Sequence, residues 1–317
     1  MFKHNFADRL NKAVAQKKSH SVIGLDPVIS RIPNFIREEA KKNYGENPKG
    51  AGFAFTQFNK LVIDAIKDHV AVIKPQLAYY EVFGEHGIHA FWETVNYAQQ
   101  MGLLVIADAK RGDIDSTATA YANAFFGSEC EQWNENENAV DSLTINPYLG
   151  RDSLEPFFDA SKKRNSGLFV LVKTSNPYSG DFQNQKLTEG ITLAEKVGVL
   201  INKFSSEHLG ESGYSSIGAV VGATYPEDMK IYRKLMPKSI FLVPGYGAQG
   251  ATGKDIVNAF NEDGYGALIS ASRSIIYSFE LVNAQDHTSV KNAITQATIE
   301  MNNDINLALK NENKFIW

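Results

Sequence analysis

The chain has 317 residues, 43% of them hydrophobic and 21% charged, with a formal net charge of −4. This is the composition of a folded globular protein, and the charge excludes a broadly basic binder of nucleic acid or membrane surfaces. A single cysteine, Cys130, excludes an intrachain disulfide and is expected in a helix end or loop.

Residues 1–18 (MFKHNFADRLNKAVAQKK) predict an amphipathic, charged helix with no apolar core of a secretory signal. Eight short apolar, β-branched runs follow: VIGLD (22–26), AVIKPQ (71–76), LLVIADAK (103–110), SLTINP (142–147), GLFVLVKTS (167–175), IGAVVGA (217–223), IFLVPG (240–245) and GALISAS (266–272). Segments with helical spacing lie between most of them, at 53–66, 91–101, 117–126, 193–204 and 226–235. The polar stretch ECEQWNENEN (129–138) reads as a solvated loop insertion, and 287–317 as a closing helix with a frayed end. The segment 36–47 carries no functional signal. The longest apolar runs fall far short of the roughly 20 residues needed to cross a bilayer, so a cytoplasmic location is expected.

Continuously apolar strands alternating with helices imply a parallel sheet covered by helices. Eight units with no linker between them fit a closed (β/α)8 barrel, one domain over 1–317 with an N-terminal helix and a C-terminal helical tail. Polar residues gather where the strands stop: Asp26, Lys74, Asp108, Lys110, Asn146, Lys173, Ser175 and Arg273. The C-terminal face of such a barrel is where reactions occur. Four cations among these eight ends suggest a site for an anion.

The third run ends in VIADAKRGD (105–113), which places three ionisable groups at the end of a buried strand. Unpaired buried charge is costly, so these groups should pair or act. Side chains at i and i+2 of a strand share a face, which sends Asp108 and Lys110 the same way. Lys74, at the end of the neighbouring strand, should adjoin Asp108. An alternating Lys–Asp–Lys–Asp array with Asp113 results, although strand geometry does not fix the direction of Asp113. Opposite charges at short range hold one another ionised. The array therefore suits proton donation by a charged lysine better than Schiff-base chemistry. An ordinary ion-pair network is the bland alternative.

DAKRGDIDSTATAYA (108–122) is similar to the D-x-K-x-x-D signature of the orotidine 5′-phosphate decarboxylase family, in the form found in its longer bacterial type. GLDP (24–27), IKPQ (73–76), LVKTSNP (171–177), VVGAT (220–224), PGYGAQG (244–250) and SRSI (272–275) occur in the family's order. The resemblance implies a metal-free, cofactor-free decarboxylase that makes UMP. It implies that Lys74, Asp108, Lys110 and Asp113 form the family's charged tetrad, with Lys110 protonating C6 of the pyrimidine and Asp108 beside the departing carboxylate. It further implies that Asp26 bonds the ribose, Ser175 reads the pyrimidine, and Gln249 and Arg273 grip the phosphate. Asp113 and Thr117 would reach the neighbouring subunit's site in a homodimer. Ser272 stands where many family members have glycine.

The loops at 174–189 and 245–255 follow strand ends and could close over a nucleotide. Gly245, Gly247 and Gly250 spell G-x-G-x-x-G, but after the seventh strand and without the acidic partner that dinucleotide binding needs. GATGKD lacks the first glycine and the Ser/Thr of a phosphate-binding Walker loop. None of the seven histidines stands at the C-terminal end of a strand, and His86 and His89, the only close pair, read as surface residues rather than metal ligands. Two alternatives remain. One is a Mg²⁺-dependent sugar-phosphate enzyme resembling 3-keto-gulonate-6-phosphate decarboxylase, disfavoured because Lys74 stands where that metal needs a carboxylate. The other is a nucleotide-binding barrel without catalysis.

Overall fold

Eight parallel strands, each hydrogen-bonded to its neighbours in sequence, close into a barrel. The computed structural model describes residues 2–127, 138–224, 226–247 and 250–317. The strands are β1 (Ser21–Leu25), β2 (Val72–Pro75), β3 (Leu104–Arg111), β4 (Ser142–Ile145), β5 (Gly167–Lys173), β6 (Ser215–Val221), β7 (Ser239–Pro244) and β8 (Ala267–Ala271). Pairing of Val22 with Ser270, and of Ile23 with Ala271, seals β1 to β8. This is the expected (β/α)8 barrel.

The continuous apolar runs have a direct cause: both faces of each strand are buried. Ile23, Ile73, Val105, Leu143 and Val170 face the surrounding helices. Val22, Val72, Ile106, Phe169 and Leu242 alternate with them and fill the interior. The helix Phe6–Lys17 covers the floor of the barrel, adding Phe6, Leu10 and Val14 to the inner cluster. Phe6 meets Phe169 edge-on at 6.1 Å between ring centroids. Gly167 makes that approach possible, because a Cβ there would stand 2.1 Å from the Phe6 ring. Burying one such phenyl ring stabilises the fold by roughly 1.5–3 kcal/mol.

The outer helices begin where local capping allows. The segment expected at 53–66 starts earlier, as Pro48–Ile66, because the Asn47 side chain accepts hydrogen bonds from the amides of Lys49 and Gly50 at 3.0 and 3.1 Å. Proline at the first helical position needs no amide partner. Leu193–Ser206 opens with a capping box between Thr192 and Glu195. The stretch at 36–47 is mostly the helix Asn34–Tyr44, and residues 84–100 form Gly84–Gln100. Among the described residues, no helix is long and apolar enough to cross a membrane.

The tail departs from expectation. His287–Asn311 is the closing helix, but the residues after it are not frayed. Trp317 lies against the buried His20, with ring centroids 4.8 Å apart, and joins the inner cluster at the floor. Lys314 Nζ donates to the carbonyl of Phe260 at 3.0 Å. The aromatic pocket around His20 supplies the apolar surface that holds this end in place. Burial there pushes the His20 imidazole down to about 3, so it stays neutral. Cys130 and all but the last residue of the 129–138 stretch lie outside the described residues.

Candidate active site

At the C-terminal mouth the interior opens into a cavity of about 480 Å³, a size suited to a small ligand. Its base is formed by inward-pointing residues of the strand ends: Lys74, Asp108, Thr144, Val220, Leu242 and Ser270. Residues past the ends of β1, β5, β7 and β8 form its rim, including Asp26, Ser175, Tyr246 and Arg273.

Asp108 is the centre of charge. Lys74 Nζ donates to Asp108 Oδ2 at 2.8 Å, and Lys110 Nζ donates to Oδ1 at 2.5 Å. Lys74 and Asp108 are both buried, whereas the Lys110 side chain is 44% exposed toward the mouth. Burial by itself would push the Asp108 carboxyl up, but the two ammonium groups outweigh it and hold the group well below the usual carboxylate range. Burial likewise works against the Lys74 ammonium, and Asp108 with Asp26 more than offsets it, so Lys74 lies above the ordinary lysine value. Asp108 and Lys74 thus hold each other ionised, with the Lys110 side chain at the open end of the cluster.

Asp108 and Lys110 come together by a route different from regular strand alternation. The β3–β4 register shifts between Ala107 and Arg111, and Lys110 has a φ of 49°. Left-handed backbone at a lysine is uncommon and needs support from its surroundings. The Thr144 hydroxyl, on β4, accepts hydrogen bonds from the amides of Ala109 and Lys110 at 3.0 and 2.9 Å. It donates to Asp108 Oδ1 at 3.0 Å.

The other expected site residues divide. Asp26 lines the cavity with a buried Oδ1 that has no hydrogen-bond partner among the described residues. Ser175 and Arg273 also line it, Arg273 from the first position of the short helix Arg273–Ile276. Gln249 lies outside the described residues. Asp113 does not join the array: its Oδ1 accepts from the Ile114 amide at 2.8 Å, past the end of β3 and away from the cavity wall. Thr117 is exposed in the first turn of Asp115–Phe126. Within one chain, therefore, three members of the expected tetrad meet and the fourth stands apart.

Two of the eight polar strand ends face elsewhere. Asn146 Oδ1 accepts from the Tyr148 amide at 3.0 Å, a local turn of the kind asparagine favours. Lys173 follows a register shift between β5 and β6, and its Nζ donates to Asn184 Oδ1 at 2.5 Å. The shift turns it out of the mouth, so the cations lining the cavity are Lys74, Lys110 and Arg273. The stretch at 174–189 holds two short helical turns, Pro177–Ser179 and Gly180–Gln183, with Gln183 bonded to the backbone and hydroxyl of Thr174.

Several contributors had no role assigned from the sequence. Gln76 forms a bridge with Asp108 across the strand ends. Ser272 lines the cavity opposite Gly24 on β1, where a Cβ would lie 1.8 Å from the serine oxygen. Asp304, on the helix His287–Asn311, accepts hydrogen bonds from Tyr246 Oη at 2.7 Å and from the Gly253 amide at 2.8 Å. It thereby pins both ends of the glycine-rich loop after β7. Gln76 and Ser272 lie in the IKPQ and SRSI stretches that carry the resemblance, whereas Asp304 has no such signal. Among the described residues, no group of three or more His, Cys, Asp or Glu side chains is arranged to hold a metal ion.

Residues 51–286 match the family model described as "Orotidine 5'-phosphate decarboxylase / HUMPS family". An orotidine 5′-phosphate decarboxylase of Rhodopirellula baltica is 41% identical over 306 residues, covering 95% of this chain and 98% of the relative. One from Clostridium novyi is 42% identical over 273 residues, covering 86% and 89% of the two chains. The solved structure of Leishmania donovani OMP decarboxylase, 30% identical, superposes with a TM-score of 0.71 over 96% of this chain and 98% of that one.

Proposed function

Because the chain belongs to the orotidine 5′-phosphate decarboxylase family, we propose that it is a carboxy-lyase converting orotidine 5′-phosphate to UMP and CO₂. The observation that carries this reading is one buried carboxylate, Asp108, held between two lysines with only Lys110 open to the mouth.

The scissile carboxylate sits on an sp² ring carbon, C6. When the C–C bond breaks, the electron pair stays on C6 in the ring plane, where the π system cannot delocalise it. The fixed positive charge of Lys110 stabilises that pair, and the ammonium then transfers its proton to C6, giving UMP and a neutral lysine that solvent reprotonates. Charge already in place costs no reorganisation at the moment of reaction. Asp108 serves chiefly as the anchor that keeps Lys74 charged and aims both lysines, with Lys74 fixing its second oxygen.

Asp26, whose buried oxygen lacks a partner among the described residues, bonds the ribose, and Ser175 reads the pyrimidine edge. Arg273, with Gln249, grips the phosphate at the rim. Asp113 and Thr117 complete the site of a neighbouring subunit in a homodimer. Their position outside this chain's own cavity supports that reading, as do the exposed apolar side chains nearby, Ile114 and Tyr121. Mixing inactive Lys110→Ala and Asp113→Ala chains should then restore activity, since a mixed dimer contains one complete site; no recovery would refute shared sites.

The test of the reaction is ultraviolet absorbance of orotidine 5′-phosphate with purified protein and EDTA. Loss of the substrate band with UMP formed is expected. Inactivity in EDTA, with Mg²⁺-dependent turnover of a sugar phosphate, would assign the chain to the other branch. Lys74 at the end of β2, where that branch needs a carboxylate, favours the first outcome.

A further inference from the structure

Thr144 has no part in the reaction as written above, yet its hydroxyl joins the charged array to the backbone that bears it. A hydroxyl offers one donor and two acceptor positions. All three are used here: the proton goes to Asp108 Oδ1 at 3.0 Å, and the amides of Ala109 and Lys110 arrive at 3.0 and 2.9 Å. The side chain is 1% exposed, so water does not compete for these positions.

The need for it follows from the register. Ala107 pairs with Leu143 and Arg111 with Ile145, so four residue steps along β3 face two along β4. Residues 108–110 bulge out of the β3–β4 ladder, and the amides of Ala109 and Lys110 reach a side chain on β4 and not its backbone. A bulge re-aims side chains next to a site, but only if its freed polar groups find partners. Thr144 supplies one oxygen to two of them. The same oxygen orients Asp108, whose Oδ1 also receives Lys110 Nζ.

We infer that Thr144 is a positioning residue: its hydroxyl locks the β3 bulge, holds Lys110 in its left-handed conformation and thereby aims the ammonium at the reacting carbon. This rests on the decarboxylase reading. A threonine present only as a β-branched strand filler would depend on its shape and not on its oxygen.

Thr144→Val keeps the shape and removes all three bonds, while Thr144→Ser keeps the oxygen and removes the methyl. For turnover of orotidine 5′-phosphate, the valine variant should lose about 10²-fold in kcat, the scale on which misplaced reacting groups act. KM and UMP affinity should stay within about threefold, because the substrate contacts are untouched. The serine variant should stay within a few-fold of the parent. A valine variant with parental kcat, a loss confined to KM, or equal losses in both variants would overturn the inference. If the valine variant does not fold, Thr144→Cys, a poor donor and acceptor, should still lose about tenfold, and parental kcat would refute it.

Amide hydrogen exchange in the parent and both variants needs no substrate. Exchange at Ala109 and Lys110 should quicken in Thr144→Val and remain slow in Thr144→Ser; slow exchange in both overturns the lock itself. A parent chain that does not turn over orotidine 5′-phosphate at all would refute the functional reading instead, and the exchange result would still decide the bulge.

Discussion

The two halves of the mouth are built differently. On the side of β2 to β4, Lys74, Asp108 and Thr144 are buried strand-end residues joined by hydrogen bonds of 2.8–3.0 Å. On the side of β5 to β8, Ser175, Tyr246 and Arg273 stand beyond the strands, and Tyr178 and Phe182 in the loop after β5 are 78% and 66% exposed. Charge that must be in place before a reaction belongs on a backbone ladder that cannot drift. Groups that must let a nucleotide in and out belong on segments that can move. The chemistry is therefore expected to fail with the first half, and binding with the second.

Lys110→Ala should separate them most sharply. Loss of both the stabilising charge and the proton donor should lower kcat on the order of 10⁴-fold or more, measured by absorbance with UMP as product. If UMP affinity fell by a comparable factor, the division into halves would be wrong.

Asp108→Ala is the next strongest perturbation, and it should appear in stability as well as rate. Removing Asp108 leaves Lys74 buried without its hydrogen-bonded carboxylate, which costs about 3–5 kcal/mol; urea denaturation reads it directly. The pH dependence carries a definite sign. Asp108 is held below its unfolded value, so its contribution is present above about pH 4 and lost as pH falls below that. Lys74 is held above its unfolded value, so its contribution is present below about pH 10.5 and lost as pH rises past it. Between those limits neither Asp108 nor Lys74 gains or loses charge.

Arg273→Ala addresses the other half. If Arg273 grips the phosphate as proposed, its loss should weaken UMP binding by roughly 10- to 150-fold, from about 1.5–3 kcal/mol. Uridine affinity should be unchanged, and the denaturation midpoint should not move. A lower midpoint would mean that the rim helps to hold the fold. Asp304→Asn, which weakens the pin on the loop after β7, should cost UMP only a few-fold, again sparing uridine.

The smallest effect expected is that of acid on binding. A nucleotide monophosphate loses its second charge below about pH 6. UMP affinity should then decline a few-fold from pH 7 to pH 5, whereas uridine affinity stays flat. A matching decline for uridine would place the titrating group in the array.

What the sequence shows depends on whether a residue's role is local. The barrel was legible because alternating faces of buried strands leave continuous apolar runs, and every strand lies within two residues of its expected bounds. Lys74, Asp108 and Lys110 were legible because charge at the end of such a run is costly unless used. Lys173 and Asn146 were misread as mouth residues because a register shift and an asparagine turn, neither written in periodicity, rotate them away. Thr144 looks like any β-branched strand residue until the bulge opposite it is known. Asp304 lies 58 residues from the tyrosine it binds, a distance at which no pattern in the chain links the two.

The contact between Gly24 and Ser272 bears on how this sequence is free to change. A methyl group at position 24 would lie 1.8 Å from the serine oxygen and 2.9 Å from its Cβ, so turning the hydroxyl aside does not relieve the collision. The two positions, one on β1 and one just past β8 where the barrel closes, are therefore not independent under mutation. Alanine at 24 is accessible only in a chain that already carries glycine at 272, and serine at 272 only while 24 remains glycine. Drift past this seam has a permitted order, and a single-site survey of position 24 would record as forbidden a change that is forbidden only here.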